Sequence, residues 1–347
     1  MRKILFLMLV AVLCSSHDMF LKLDTFFLNP EQAASIQLFN GTFEKSDNTI
    51  DRNRMLDVSL VGNGERMRVD SNQWAEVGET TVLNFRTGKS GTWVAGVSTR
   101  ARDFGMDAEA FNNYLEHDGV LDVLEDRRQN GKADQAANER YSKHVKTIFQ
   151  VGDKRTNDWK TNLGYPIEFI PLSNPYNLHA GFQFKVRLLR AGEPLAGQLV
   201  YAGSNEHGHD HDHEHDHEHG EDHDHHTGVT QLKTDARGEL TMDITHDGIW
   251  YLRTIHLVET EEAGLTHESN WATLTFEVAG DEGHAHHDHD HDHGHDHDHE
   301  HGHDHDHDHE HGDDHDHSHD HEEDGIPFWI FGLMSLVVVG GLFLYFN

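Results

Sequence analysis

Cysteine is all but missing from this 347-residue chain: the one copy, Cys14, lies in the N-terminal apolar run. Once that run is processed away no thiol remains, which excludes a disulfide framework and thiolate chemistry. Positive charge is scarce as well, with 27 Lys and Arg against 62 Asp and Glu. Nothing here would neutralise a phosphate backbone, so nucleic acid is excluded as a partner. No nucleophile–base pair, HExxH helix or phosphate-binding Gly loop is present, so hydrolytic and nucleotide chemistry have no support and no enzyme is expected.

What is there instead is histidine, 36 residues of it, mostly in two tracts. The tracts with their flanks, 204–228 and 281–324, hold 9 and 19 of the acidic residues and no basic ones, leaving 34 acids against 27 bases elsewhere. The acidity of the chain therefore belongs to the tracts. The first presents His207, His209, His211, His213, His215, His217, His219, His223, His225 and His226. The second presents His284, His286, His287, His289, His291, His293, His295, His297, His299, His301, His303, His305, His307, His309, His311, His315, His317, His319 and His321. With no large apolar residue to bury, neither tract can offset the entropy of ordering its backbone, and both are expected to lack a fixed fold without a ligand. Neutral imidazole is the commonest protein ligand for borderline divalent metals. Alternating His and Asp supplies the roughly four N or O ligands that zinc takes, in many overlapping registers. High capacity, low selectivity and modest affinity follow.

Residues 1–16 read as a secretory signal: Arg2 and Lys3, an apolar run from Ile4 to Leu13 too short to span a bilayer, then small residues. Cleavage after Ser16 makes His17 the new terminus, where α-amino and ring nitrogens can chelate one ion. Cleavage after Cys14 places the same His third, a spacing that suits Cu(II) or Ni(II). At the other end, Ile326 to Phe346 is 21 residues without a charge, long enough to cross the hydrocarbon core, with Trp329 and Tyr345 placed for the interfaces.

Between these ends the pattern is mainly β. A first β-sandwich domain is expected over 17–163. Within it, Met55 to Val69 reads as a hairpin about Gly62-Asn63-Gly64, and Val82 to Val97 as another about Gly88 to Gly91. A helical insertion is expected at 107–149: Asp107 caps, Phe111, Tyr114 and Leu115 share a face, and Tyr141, Val145, Ile148 and Phe149 mark a further helix. His117 and His144 are expected exposed on those helices. A second, smaller sandwich of immunoglobulin-like or transthyretin-like kind is expected over 164–280. The His-rich loop 204–228 interrupts it, an insertion far beyond ordinary hairpin length. The His/Asp linker 281–325 then leads to the membrane segment 326–346. His179, His246 and His267 read as turn or loop residues, and His256 as a half-buried strand residue between Ile255 and Leu257.

The order of pieces is specific. HDMFL after a leader, LGYPIEFIPLSNPYNLHAG, LLRAGEPLAGQLV, TDARGEL, GIWYLRTIHLVE and SNWATLTFEV together resemble the DUF4198 family over about residues 17–280. That family is described as a substrate-specific component of nickel uptake and is similar to periplasmic parts of nickel and cobalt transporters. The resemblance implies an envelope protein handling Ni, Co or a similar ion, with His17 and His256 as the positions that carry over. The His/Asp tracts exceed the shared pattern and lean toward zinc.

The expectation is a membrane-anchored protein of the cell envelope, its bulk in the periplasm, that captures Ni, Co or Zn and supplies a membrane transporter. The linker gives an r.m.s. reach of roughly 35–40 Å from the bilayer, which concentrates bound ions beside a neighbour. Two other readings share the residues: a metal buffer or resistance protein without delivery, and a copper enzyme whose N-terminal His17 pairs with a second His.

Overall fold

The structure, a computed structural model, describes residues 18–206 and 229–280. The leader, His17, both His tracts, the linker and the expected span at 326–346 lie outside the described residues. Within them the chain is mainly β with two helices. The elements run β1 (Asp18–Lys22), β2 (Phe27–Leu28), β3 (Ala33–Gly41), β4 (Met55–Gly62), β5 (Glu65–Arg68), β6 (Trp74–Val77), β7 (Thr80–Arg86), β8 (Gly91–Thr99) and β9 (Arg102–Met106). Then come α1 (Ala108–His117), α2 (Leu121–Gln129), β10 (Ala137–Val151), β11 (Ile167–Pro171), β12 (Gln183–Arg190) and β13 (Glu193–Pro194). The set closes with β14 (Leu199–Glu206), β15 (Thr230–Lys233), β16 (Glu239–Asp243), β17 (Gly248–Glu259) and β18 (His267–Val278).

Three sheets result among the described residues. The first runs β1-β3-β7-β6. The second runs β15-β14-β17-β18-β10-β8-β4-β5, with β2 and β9 also paired to β10. The third runs β11-β12-β13, with β16 on β12. One apolar cluster takes side chains from all three, including Ile36, Leu38, Trp93, Ile148, Phe169 and Phe184. Phe85 of the first sheet meets Phe149 of the second with ring centroids 5.8 Å apart, and Phe184 of the third meets Phe276 of the second at 4.6 Å. The second sheet is therefore packed on both faces.

The hairpin of β4 and β5 forms as its sequence dictates. Asn63 and Gly64 both take positive φ, 54° and 80°, the pairing a two-residue turn between right-twisted strands needs. Helix α1 also starts as expected, with the Asp107 carboxylate accepting from Ala110 N at 2.8 Å. Its buried face, Phe111, Tyr114 and Leu115, joins Leu124 of α2 over Ile255, Leu257 and Trp271 of the second sheet. The helices separate at Gly119, where φ is +73° and a Cβ would stand 2.3 Å from the Tyr201 hydroxyl.

Two expectations are corrected. The helical insertion ends with α2: residues 137–151, including Tyr141, Val145, Ile148 and Phe149, form the long strand β10. It lies between β18, paired in parallel, and β8 with β9, paired antiparallel. A strand covered on both faces loses the alternation that marks half-buried strands, so apolar residues at spacings of four, three and one mimicked a helix face. Nor do β7 and β8 form a hairpin. β7 pairs with β3 and β6 in the first sheet, β8 with β4 and β10 in the second. Every residue of β8 is buried, which requires a central position rather than the edge a simple hairpin would give it.

Candidate metal centre

Of the nominated ligands, His256 lies within the described residues. It sits on β17, half-buried, with Nδ1 2.9 Å from Gln198 Oε1. The amide nitrogen of Gln198 donates to Leu199 O and Ile255 O, at 3.2 and 3.1 Å, which fixes the amide so that its oxygen faces the ring. A carbonyl oxygen only accepts, so Nδ1 carries the proton and Nε2 keeps a bare lone pair. Burial, then the charge of Arg190, hold the ring below its usual value, with Asp122 and Glu268 pulling the other way. The imidazole is thus neutral at pH 7, with its far nitrogen oriented by a second residue as metal-binding histidines are. Yet no three His, Cys, Asp or Glu side chains among the described residues converge to hold an ion. His256 is competent as a ligand and is not part of a preformed cage.

Its cross-strand neighbour in the register is Asn270, which opens a hydrogen-bonded row across the sheet. Asn270 Nδ2 donates to Glu268 Oε1 at 3.1 Å, and Arg190 reaches the same oxygen at 3.3 Å. Ser142 donates to Asn270 Oδ1 at 3.2 Å and lies 3.0 Å from His144 Nε2, while Ser98 lies 2.9 Å from His144 Nδ1. Having spent its one proton on Asn270, Ser142 accepts from His144, so that ring carries its proton on Nε2. Burial pushes His144 down to about 4. The exposed helical position expected for His144 is thereby corrected: it is a neutral, doubly bonded core residue on β10, with no free nitrogen for a metal.

The other folded histidines differ again. His267, expected in a turn or loop, instead opens β18. His246, in the turn between β16 and β17, has Nε2 2.9 Å from Ser204 Oγ, Nδ1 2.9 Å from Thr245 Oγ1, and its ring 4.6 Å from Trp250. His179 packs edge-on to Phe182 at 5.8 Å.

That end of the second sheet is also where both tracts attach. Glu206, the last residue before the first tract, pairs with Gly248, and Gly248 pairs on its other side with Val278, near the start of the second. Neighbouring strands lie about 4.8 Å apart, so the two points of departure are separated by about 10 Å.

Beneath the helices is a group that sequence reading missed. Glu139 is buried, with Oε1 accepting from Tyr114 at 3.3 Å and from Ser269; burial pushes it up to about 7. Lys143 is buried beside it, its ammonium 4.7 Å above the Trp271 ring, and burial pulls it down to about 8. Asp18, the first described residue, is 3.4 Å from Arg253 and favours the charged form of Lys143. On the opposite face Lys146 and Glu168 form a buried pair at 3.0 Å. The one available signal was the density of charged residues in a stretch with apolar neighbours, and it was read with the wrong period.

Comparison with known proteins gives a family and little beyond it. Among curated proteins none matches the sequence. Of solved structures, trypsin-activated α2-macroglobulin from Escherichia coli aligns at 10% identity and a TM-score of 0.20, over 76% of this chain and 16% of that one. The D0–D1 domain of intimin aligns at 10% and 0.16, over 75% and 97%. A DUF4785 family protein from Legionella pneumophila aligns at 10% and 0.20, over 67% and 50%. The chain thus spans about a sixth of the α2-macroglobulin it aligns with, and overlays this loose bear on nothing further. The profile of DUF4198, a domain of unknown function, matches residues 14–258, more than half the sequence, and the chain belongs to that family.

Proposed function

We propose that the protein captures divalent transition cations, Ni, Co or Zn, outside the cytoplasmic membrane and supplies them to a membrane transporter, to which a C-terminal helix at 326–346 keeps it close. It acts as a binding protein and not as an enzyme. The chemistry rests on 29 tract imidazoles interleaved with carboxylates. The observation that carries it is the attachment of both tracts at one end of one sheet, on β14 and β18, the two strands that flank β17. Two separate charge runs have no reason to share an end; two parts of one chelating pool do.

Equilibrium dialysis of the purified protein against Zn, Ni and Co tests capture. At two to four imidazoles per ion, 29 imidazoles bind about 7–14 ions per chain. A version with every tract His replaced by Asn should lose nearly all of them; equal uptake by both proteins sinks the proposal. Growth separates delivery from buffering, since loss of a supplier hurts under metal starvation and loss of a buffer under metal excess.

A further inference from the structure

Where α2 crosses the paired ends of β17 and β18 there is a cleft of about 210 Å³, walled by Asp122, Asp126 and Arg127 from the helix, Glu259 from β17 and His267 from β18. Glu259 and His267 are direct cross-strand partners, which puts their Cβ atoms about 5 Å apart on one face. His267 is only 4% exposed, and its Nε2 has no hydrogen-bond partner. Its Nδ1 lies 2.8 Å from Thr266 Oγ1, and that hydroxyl donates to Asn138 O at 3.2 Å. With that hydroxyl's proton on Asn138 O, the ring donates from Nδ1 and leaves Nε2 as a bare, buried lone pair. Burial, then the charge of Arg127, hold the ring below its usual value, so it is neutral at pH 7. A buried acceptor that has given up water and gained no donor calls for an explanation, and a ligand is one.

The charges around it favour a cation. Three carboxylates face Arg127 and Lys132, a net of one negative charge. Arg127 is tied down: it donates to Asn112 Oδ1 at 3.2 Å and Gln135 O at 2.8 Å, with its guanidinium 4.6 Å over the Phe111 ring. Lys132 is the movable one. Its ammonium sits 2.5 Å from Glu259 Oε1 as a built-in counter-ion. Asp122 and Asp126 stand one turn apart on α2 with exposed side chains, Asp122 Oδ1 accepting from Val123 N and Asp126 Oδ1 from Asn130 Nδ2, each at 3.0 Å, surface bonds that an ion would replace.

We propose that this cleft is a folded site for a single divalent transition cation, with His267 Nε2 as the nitrogen ligand, Glu259 and Asp126 as carboxylate ligands, and Lys132 yielding its place on Glu259 to the ion. One imidazole with carboxylates suits Zn, Co or Ni. The ligands do not converge in advance, so the ion gathers them. The inference rests on the metal-capture reading and deepens it, giving the folded domain a defined seat at the end of β17 and β18 opposite the one from which the tracts depart.

Thermal unfolding of the full chain, with and without excess ZnCl2, tests it. Tract ligands are neighbours in sequence and equally available to folded and unfolded chains, so they shift the melting temperature little; a site made by folding raises it. Zinc should raise the midpoint of the wild type by several degrees. The rise should vanish in His267→Gln and shrink in Asp126→Asn, which alters an exposed side chain and leaves the fold intact without metal. An equal rise in all three proteins, or none in the wild type, overturns the site. Dialysis of the same samples reads the capture proposal separately. Many ions per chain without a zinc-dependent shift removes this site and leaves capture standing. A shift abolished by His267→Gln and reduced by Asp126→Asn, with one ion per chain in total, keeps the site and removes the tract reading.

Discussion

Replacing Glu139 by Gln should remove a loss of stability that the wild-type protein suffers as pH rises. Glu139 is 3% exposed beneath α1, and burial raises its carboxyl from 4.5 to about 7 against the pull of the Ser269 and Tyr114 hydroxyls. Between those values the folded protein holds a proton that the unfolded chain has released. Stability from this group is therefore full below 4.5 and is lost as pH climbs through 7. At about 1.36 kcal/mol per pH unit, the move from 4.5 to about 7 makes the loss roughly 3 kcal/mol. Gln offers the same shape with nothing to ionise, so the stability of Glu139→Gln relative to wild type should grow by about that much from pH 4.5 to 8. Lys143 takes part of it back, because its ammonium loses a carboxylate neighbour in the variant. The titration of His144 is common to both proteins and cancels. Urea denaturation at steps across this window, followed by tryptophan fluorescence, measures the difference. A difference flat with pH, or one that favours Glu at pH 8, refutes the argument.

Two further outcomes follow from the sheet interior. Lys146 and Glu168 bridge the second and third sheets; the Lys146 ammonium also donates to Thr161 O and Phe169 O, and Glu168 accepts from the backbone N–H of Leu163, Gly164 and Tyr165. Lys146→Met strands that carboxylate and should cost about 3–5 kcal/mol in urea denaturation, with the Lys146→Met/Glu168→Gln double variant costing less than the sum of the two. His144 has its folded value lowered from 6.5 to about 4, so the stability it contributes is present above 6.5 and is lost as pH falls through 4. In the Glu139→Gln background, His144 should make acidification over that range cost about 3 kcal/mol, and a further His144→Gln substitution should remove about that much of the loss, leaving the part due to His256 and His267.

What could be read from the sequence was local. Asp107, Glu109 and the Phe111, Tyr114, Leu115 face specify α1 within a dozen residues, and Asn63-Gly64 specifies its turn with two. His256 could be placed on a strand from its apolar neighbours. Its chemistry could not, because Gln198, which sets the tautomer, is 58 positions away. β10 failed for a related reason. The first and third sheets pack on the two faces of its sheet, and its parallel pairing with β18 joins residues more than 120 positions apart, a contact with no local signature. The polar residues along it, Glu139, Lys143, His144 and Lys146, are each satisfied by groups on other strands or helices. Read alone they argue for solvent; read with partners they argue for a core.

The position of the first tract shows why so strange a sequence leaves the fold legible. It interrupts the connection between β14 and β15, whose register runs from Leu199↔Lys233 to Ala202↔Thr230. β15 ends the strand order of its sheet, so no further strand depends on that hairpin for its own register. Lengthening a loop costs only about 0.6 kcal/mol per doubling. Growing a four-residue turn to the 22 residues of 207–228 is between two and three doublings, roughly 1.5 kcal/mol. An insertion in the crossover between β10 and β11 would instead disturb the buried Lys146–Glu168 pair and the strands it joins. The tracts are thus free to change in length and composition, while the alternation that encodes the sheets stays as it is.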